Sequence, residues 1–114
     1  MNNYVKIKVI EEKMVEGQKT RTTQEITAFC GELVLGDVNL NISKINKTHI
    51  NLEFDELKNP NARFIKTKQF FGKTITIPSR STSINIGDWI DFSDGYTDTR
   101  YAIYLSSIYY SKEE

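Results

Sequence analysis

Apolar side chains recur at every second position through most of this chain, and almost nowhere at helical spacing. Val5, Ile7 and Val9 alternate with Lys6 and Lys8, and Val38, Leu40 and Ile42 with Asn39 and Asn41. Ile50, Leu52 and Phe54 alternate with Asn51 and Glu53, and Tyr101, Ile103 and Leu105 form a further run. A period of two sends successive side chains to opposite faces of a strand, so each run can bury one face and wet the other. β-Branched residues dominate, which favours strand over helix. One short turn at Asp55–Asn59 is the best candidate for helical geometry. Turn signals about every 8–12 residues then predict seven to nine short strands. The expected fold is all-β, a small antiparallel β-sandwich or partly open β-barrel, in one domain spanning residues 1–114.

The turns place the strands. Glu16-Gly17-Gln18-Lys19 joins the first run to Thr22–Cys30 in a hairpin, with Ile26, Ala28 and Cys30 on one face and Phe29 on the other. Gly31 and Gly36 bracket a short strand, and Asn46-Lys47 closes a second hairpin. Asp55–Ala62, with Asn59-Pro60-Asn61 inside it, is a loop. Arg63–Phe71 is a strand, interrupted at Gly72-Lys73 and resumed over Thr74–Ile77. Pro78 should end that run, because it has no N–H for a central ladder, and Ser79 to Thr82 should be a polar loop.

Ser83–Tyr110 holds the only Trp and five of the six Tyr. It reads as strand, Gly87-Asp88 turn, strand, acidic loop and long strand, and is expected to supply the hairpin against which everything upstream packs. Ile84 and Ile86 share one face, Ile90 and Phe92 the next, and Ile108 resumes after Ser106-Ser107. The segments Ile86-Gly87-Asp88-Trp89-Ile90 and Tyr101-Ala102-Ile103, with an opening hairpin around a Gly-containing tip at Val5–Cys30, resemble the small β-barrel connector and stopper proteins that join head to tail in tailed phages. OB-fold and SH3-like domains share the same phrase. The resemblance implies a non-enzymatic ring subunit of a virion neck.

Formal net charge is zero and the pI is about 6.6, unlike a strongly basic nucleic-acid protein. A single cysteine allows no intrachain disulfide and suits a reducing compartment. The first ten residues lack the apolar run of a signal peptide, and no stretch approaches the ~18 apolar residues of a membrane span. The chain is expected to be soluble and non-secreted, in the virion or host cytoplasm if phage-encoded, without a membrane partner.

Candidate sites fall into four groups. Trp89, Tyr96, Tyr104, Tyr109 and Tyr110 are amphipathic rings of the kind favoured where one end is buried and the other wet, and mark a protein partner or self-assembly surface; the alternative is a second apolar layer. Arg63, Lys66, Lys68, Phe70 and Lys73, with Arg80 and Phe71, lie in a span from Pro60 to Thr82 without an acidic residue. Cations with aromatic platforms grip single-stranded nucleic acid, although Phe64 belongs to a core. That basic span and the acidic one at 88–98 could also meet across a heterologous interface. Asp91, Asp94 and Asp98, near Asp88 and Gly95, offer oxygen ligands for a hard cation, yet depart from an EF-hand, and the plainer reading is a turn capped by Asp94. His49 is the lone histidine, expected to be exposed, and Cys30 a small buried hydrophobe. Nothing marks a nucleophile and base, so no enzyme activity, metal or cofactor is expected. The chain reads as a non-enzymatic assembly or interaction module, a structural component of a tailed phage. The alternatives are a β module binding carbohydrate or single-stranded nucleic acid, or a small inhibitor of a host protein.

Overall fold

The computed structural model describes residues 3–111, with the Lys68 side chain outside that description. Ten strands are present among the described residues: β1 (Tyr4–Val15), β2 (Gln18–Phe29), β3 (Gly31–Leu35), β4 (Val38–Ile45), β5 (His49–Phe54), β6 (Arg63–Phe70), β7 (Lys73–Ser79), β8 (Ser81–Asn85), β9 (Trp89–Ser93) and β10 (Arg100–Tyr109). They form a six-stranded sheet in the order β2-β1-β10-β9-β6-β7 and a four-stranded sheet in the order β3-β4-β5-β8. Every pairing is antiparallel. The result is a sandwich, not a closed barrel.

The alternating residues make the core as their spacing dictates. Val5, Ile7, Val9, Ile103 and Leu105 face inward from the larger sheet, and Leu40, Ile42, Ile50 and Leu52 from the smaller one, all buried. Each such side chain contributes about 1.5–3 kcal/mol by leaving water. At one end the core is aromatic. Phe54 of the smaller sheet stacks on Phe64 at 4.2 Å, Phe92 meets both edge-on, and Tyr101 stacks on Phe92 at 4.7 Å. Tyr101 reaches further, its phenol oxygen taking the backbone N–H of Asp37 in the β3–β4 turn.

Several expectations need correction. Ser83–Tyr110 is not one hairpin: β8 belongs to the four-stranded sheet, whereas β9 and β10 lie in the six-stranded one. Gly87-Asp88 is the crossing between layers, held by Gly87 N–H to Leu105 O (2.8 Å) and Leu105 N–H to Asp88 O (3.2 Å). Ile86 therefore leaves the face it would share with buried Ile84 and stands exposed. Cys30 is exposed, because the chain bends there to pass from β2 in one sheet to β3 in the other. Pro78 does not end a strand. It pairs with Ile65 inside β7, the edge of its sheet, where the missing N–H can face outward. The strand count is ten rather than seven to nine, residues 63–79 form a complete hairpin turning at Phe71-Gly72, and Ser79–Thr82 is not a loop, since β7 runs through Ser79 and β8 begins at Ser81. The Asp55–Asn59 turn carries one helical bond, Asn59 N–H to Asp55 O at 2.8 Å, and goes no further.

Candidate functional site

The outer face of the six-stranded sheet gathers most of the singled-out aromatics. Antiparallel register sets directly opposed residues side by side on one face. Glu25 lies opposite Lys8, Lys8 opposite Tyr104, and Tyr104 opposite Trp89, one row across β2, β1, β10 and β9. Trp89 and Tyr104 pack at 4.8 Å between centroids, and the Lys8 ammonium sits 5.9 Å from the Tyr104 centroid, a cation–π distance. Trp89 remains 47% exposed. Two residues along, Ile10, Ala102 and Asp91 form the next row, and small Ala102 leaves a groove of about 280 Å3 bordered by Glu12, Arg21 and Arg100. Glu12 and Arg21 pair at 3.3 Å.

A second aromatic row lies at the opposite end of the same face. Tyr4 stacks on Tyr109 at 4.9 Å and meets Phe29 at 5.7 Å. Tyr109 reaches this face because of a bulge: Lys6 lies opposite Ser107 but Ile7 lies opposite Leu105, so Ser106 is the extra residue. The bulge resets the alternation, turning Ile108 inward over Val5 and Tyr109 outward over Tyr4. Tyr110 is part-exposed just beyond, and Tyr96 is 63% exposed in the β9–β10 loop, away from both rows. Tyr4, Lys8 and Phe29 join this surface without having been singled out; their signal was parity, since each is out of phase with buried Val5, Ile7 and Ala28.

The acidic loop is a capped turn. Asp94 is buried and accepts the backbone N–H groups of Tyr96 and Thr97, both at 2.9 Å, and the Thr97 hydroxyl at 2.9 Å. Burial acts to raise its carboxyl pKa, but those hydrogen bonds outweigh burial and hold it below its ordinary value. Asp88, Asp91 and Asp98 do not join it: Asp88 and Asp91 are exposed, and no group of three or more His, Cys, Asp or Glu gathers as a metal would require among the described residues. His49 is part-buried rather than exposed and shares hydrogen bonds with Asn46 and Thr48; Cys30 is exposed at the β2–β3 bend.

The basic group divides. Arg63 donates to the Pro60 and Ala62 carbonyls and Arg80 to those of Asn59 and Ala62, so both tie down the 55–62 loop. One Arg80 nitrogen, Nη2, is buried with no hydrogen-bond partner among the described residues. Lys66, Phe70 and Lys73 are exposed on the β6–β7 hairpin, together with Phe71 at its tip; the Lys68 side chain lies outside the described residues. Among the described residues neither ion pair, Arg21–Glu12 or Lys58–Glu32, joins the basic span to the 88–98 span. Compared with known proteins, the chain matches no family model, no curated protein and no solved structure.

Proposed function

We propose that this chain is a non-enzymatic assembly module that docks a protein partner through the outer face of its six-stranded sheet. The observation that carries this reading is the Trp89–Tyr104 pair, held in register on a strand surface beside a groove, with Tyr104 part-buried and Trp89 left open to solvent. Trp and Tyr dominate interface energetics because they bury large area at little conformational cost. Their rings here are already ordered by each other and by Lys8, so docking immobilises little. The setting we propose, a neck or minor structural subunit of a tailed-phage particle, rests on the resemblance of Ile86–Ile90, Tyr101–Ile103 and the opening hairpin to connector proteins. Trp89→Ala with Tyr104→Ala should leave the melting temperature within a few degrees and reduce partner recovery in quantitative cross-linking from producing cells by roughly 30-fold or more. Equal recovery with both rings removed, or no partner with either chain, would overturn the reading.

A second reading is favoured by the β6–β7 hairpin, where Phe70, Phe71, Lys66 and Lys73 stand exposed on one arm. Such an arm suits single-stranded nucleic acid. Mixed oligonucleotides titrated at low and high salt test it: binding would be salt-sensitive and lost in Lys66→Ala with Lys73→Ala.

A further inference from the structure

The β6–β7 hairpin is built as an arm. The four-stranded sheet ends at β8, so β7 has no layer facing it, and six of its seven residues are exposed. Beyond Phe64, which is buried, the described side chains of the stem are open to solvent except part-buried Ile65 and Ser79. Lys66 lies opposite Ile77 and Phe70 opposite Lys73, so cations and apolar groups alternate on one face. At the tip, Phe71 is 90% exposed and takes a φ of 50°, followed by Gly72 at 76°. Bulky residues rarely adopt that left-handed conformation, and Asn or Asp before Gly would make the same turn with less strain. Within the subunit the Phe71 ring meets only its neighbour Phe70, edge-on at 4.5 Å between centroids, among the ring contacts of the described residues, and stays open to solvent.

An acid-rimmed cavity lies elsewhere on the same chain. On the outer face of the four-stranded sheet Glu32, Asn41, Glu53 and Ser81 form one cross-strand row. Between that row and the 55–62 loop lies a cavity of about 490 Å3, with Glu32, Glu53, Asp55 and Glu56 around it; Leu40 and Phe54 border it from the core side and are themselves almost wholly buried. Glu32 is engaged by Lys58 at 3.1 Å and Asp55 caps its own turn, whereas the carboxylates of Glu53 and Glu56 have no partner among the described residues. Arg80 also lines the cavity, but its Nη1 donates to the loop carbonyls of Asn59 and Ala62. Lys66 and Lys73 on the arm likewise make no ion pair among the described residues.

We infer that the arm of one copy inserts its Phe70-Phe71 tip into the acid-rimmed cavity of a second copy, with Lys66 and Lys73 meeting Glu53 and Glu56. This rests on the assembly reading and names a partner for it. An arm does not reach its own cavity. Its base is next to Arg80, and the seven-pair β6–β7 ladder holds the tip roughly 23 Å from that base at strand rise. Arm and cavity are different surfaces, so the contact is heterologous and propagates from copy to copy, closing into a ring or extending as a filament.

Sedimentation velocity of the purified chain, with no other component, tests this. The wild type should gain mass with concentration over roughly 10–500 µM, less so at high salt. Phe71→Asn, which suits the turn and keeps the fold, should be monomeric throughout, and so should Glu53→Lys with Glu56→Lys. Mixed in equal amounts, these two chains retain one working arm and one working cavity between them, and should form a 1:1 heterodimer and nothing larger. A monomeric wild type, association unchanged in either variant, no heterodimer on mixing, or an arm that binds a single-stranded oligonucleotide in place of a second copy would each overturn the inference. A monomeric wild type would leave partner docking through Trp89 and Tyr104 untouched, and loss of that docking would leave the arm's behaviour unchanged.

Discussion

Two side chains carry charge chemistry that the core depends on. The carboxyl of Asp94 is held below its ordinary value of 3.8. Its contribution to stability is complete at neutral pH and is lost as pH falls below that value through the depressed folded one. Asp94→Ala removes the acceptor of three hydrogen bonds and should cost about 2–3 kcal/mol in chemical denaturation at pH 7, with the difference from wild type shrinking in acid. Tyr101 behaves oppositely. Burial, with the charge of Glu11 nearby, pushes its phenol up to about 12 from an ordinary 10.0. Folding therefore gains from the neutral phenol below pH 10, and that gain, on the order of 3 kcal/mol, disappears as pH rises through the folded value. Tyr101→Phe should flatten this alkaline loss. The sequence showed Asp94 as a turn cap because Asp beside Gly in a polar stretch has a local signature. It could not show Tyr101 reaching the β3–β4 turn, which depends on which strands face each other. Gly95 marks the same limit: a Cβ there would run into the Asn61 backbone, a contact between two loops far apart in sequence. Gly95→Ala should cost about 2 kcal/mol or more, read from its melting temperature.

Among the elements, strands were legible wherever one face is buried, because burial imposes the alternation that sequence displays. β6 and β7 were legible by a different signal. Thr67, Gln69, Thr74 and Thr76 sit on an arm with no covered face, so no period of two is enforced, and strand-favouring composition with the Gly72-Lys73 break placed both strands instead. Only their end misled, because the edge position of Pro78 is a property of the sheet. The exchange Phe71→Asn should raise stability by about 0.5–1 kcal/mol, since it relieves a left-handed aromatic. The bulge at Ser106 makes a sharper forecast. Deleting Ser106 leaves Ser107 outward, Ile108 inward and Tyr109 outward, so the variant should fold with a melting temperature near that of the wild type. Deleting Ala102, in the regular part of the same strand, inverts its upstream or downstream faces and should abolish cooperative melting.

For the molecule as a whole, class was readable and wiring was not. Alternation says that strands exist, but not that β8 and β9, separated by only Ile86-Gly87-Asp88, belong to opposite layers. Nor does it say that a sheet of six overhangs a sheet of four, which is what frees the β6–β7 arm. The acidic counterpart anticipated at 88–98 proved less organised than the row built from Glu32 and Glu53, residues remote in sequence and joined only by register. Placing β10 between β1 and β9 has a further consequence. During translation, the first hairpin and the β6, β7 and β9 strands must wait as two unjoined half-sheets, each with a raw edge, until β10 follows them from the ribosome and slots between them. Closure by so late a segment makes folding slow and exposes the nascent chain to chaperones and to mispairing with its neighbours on the same message.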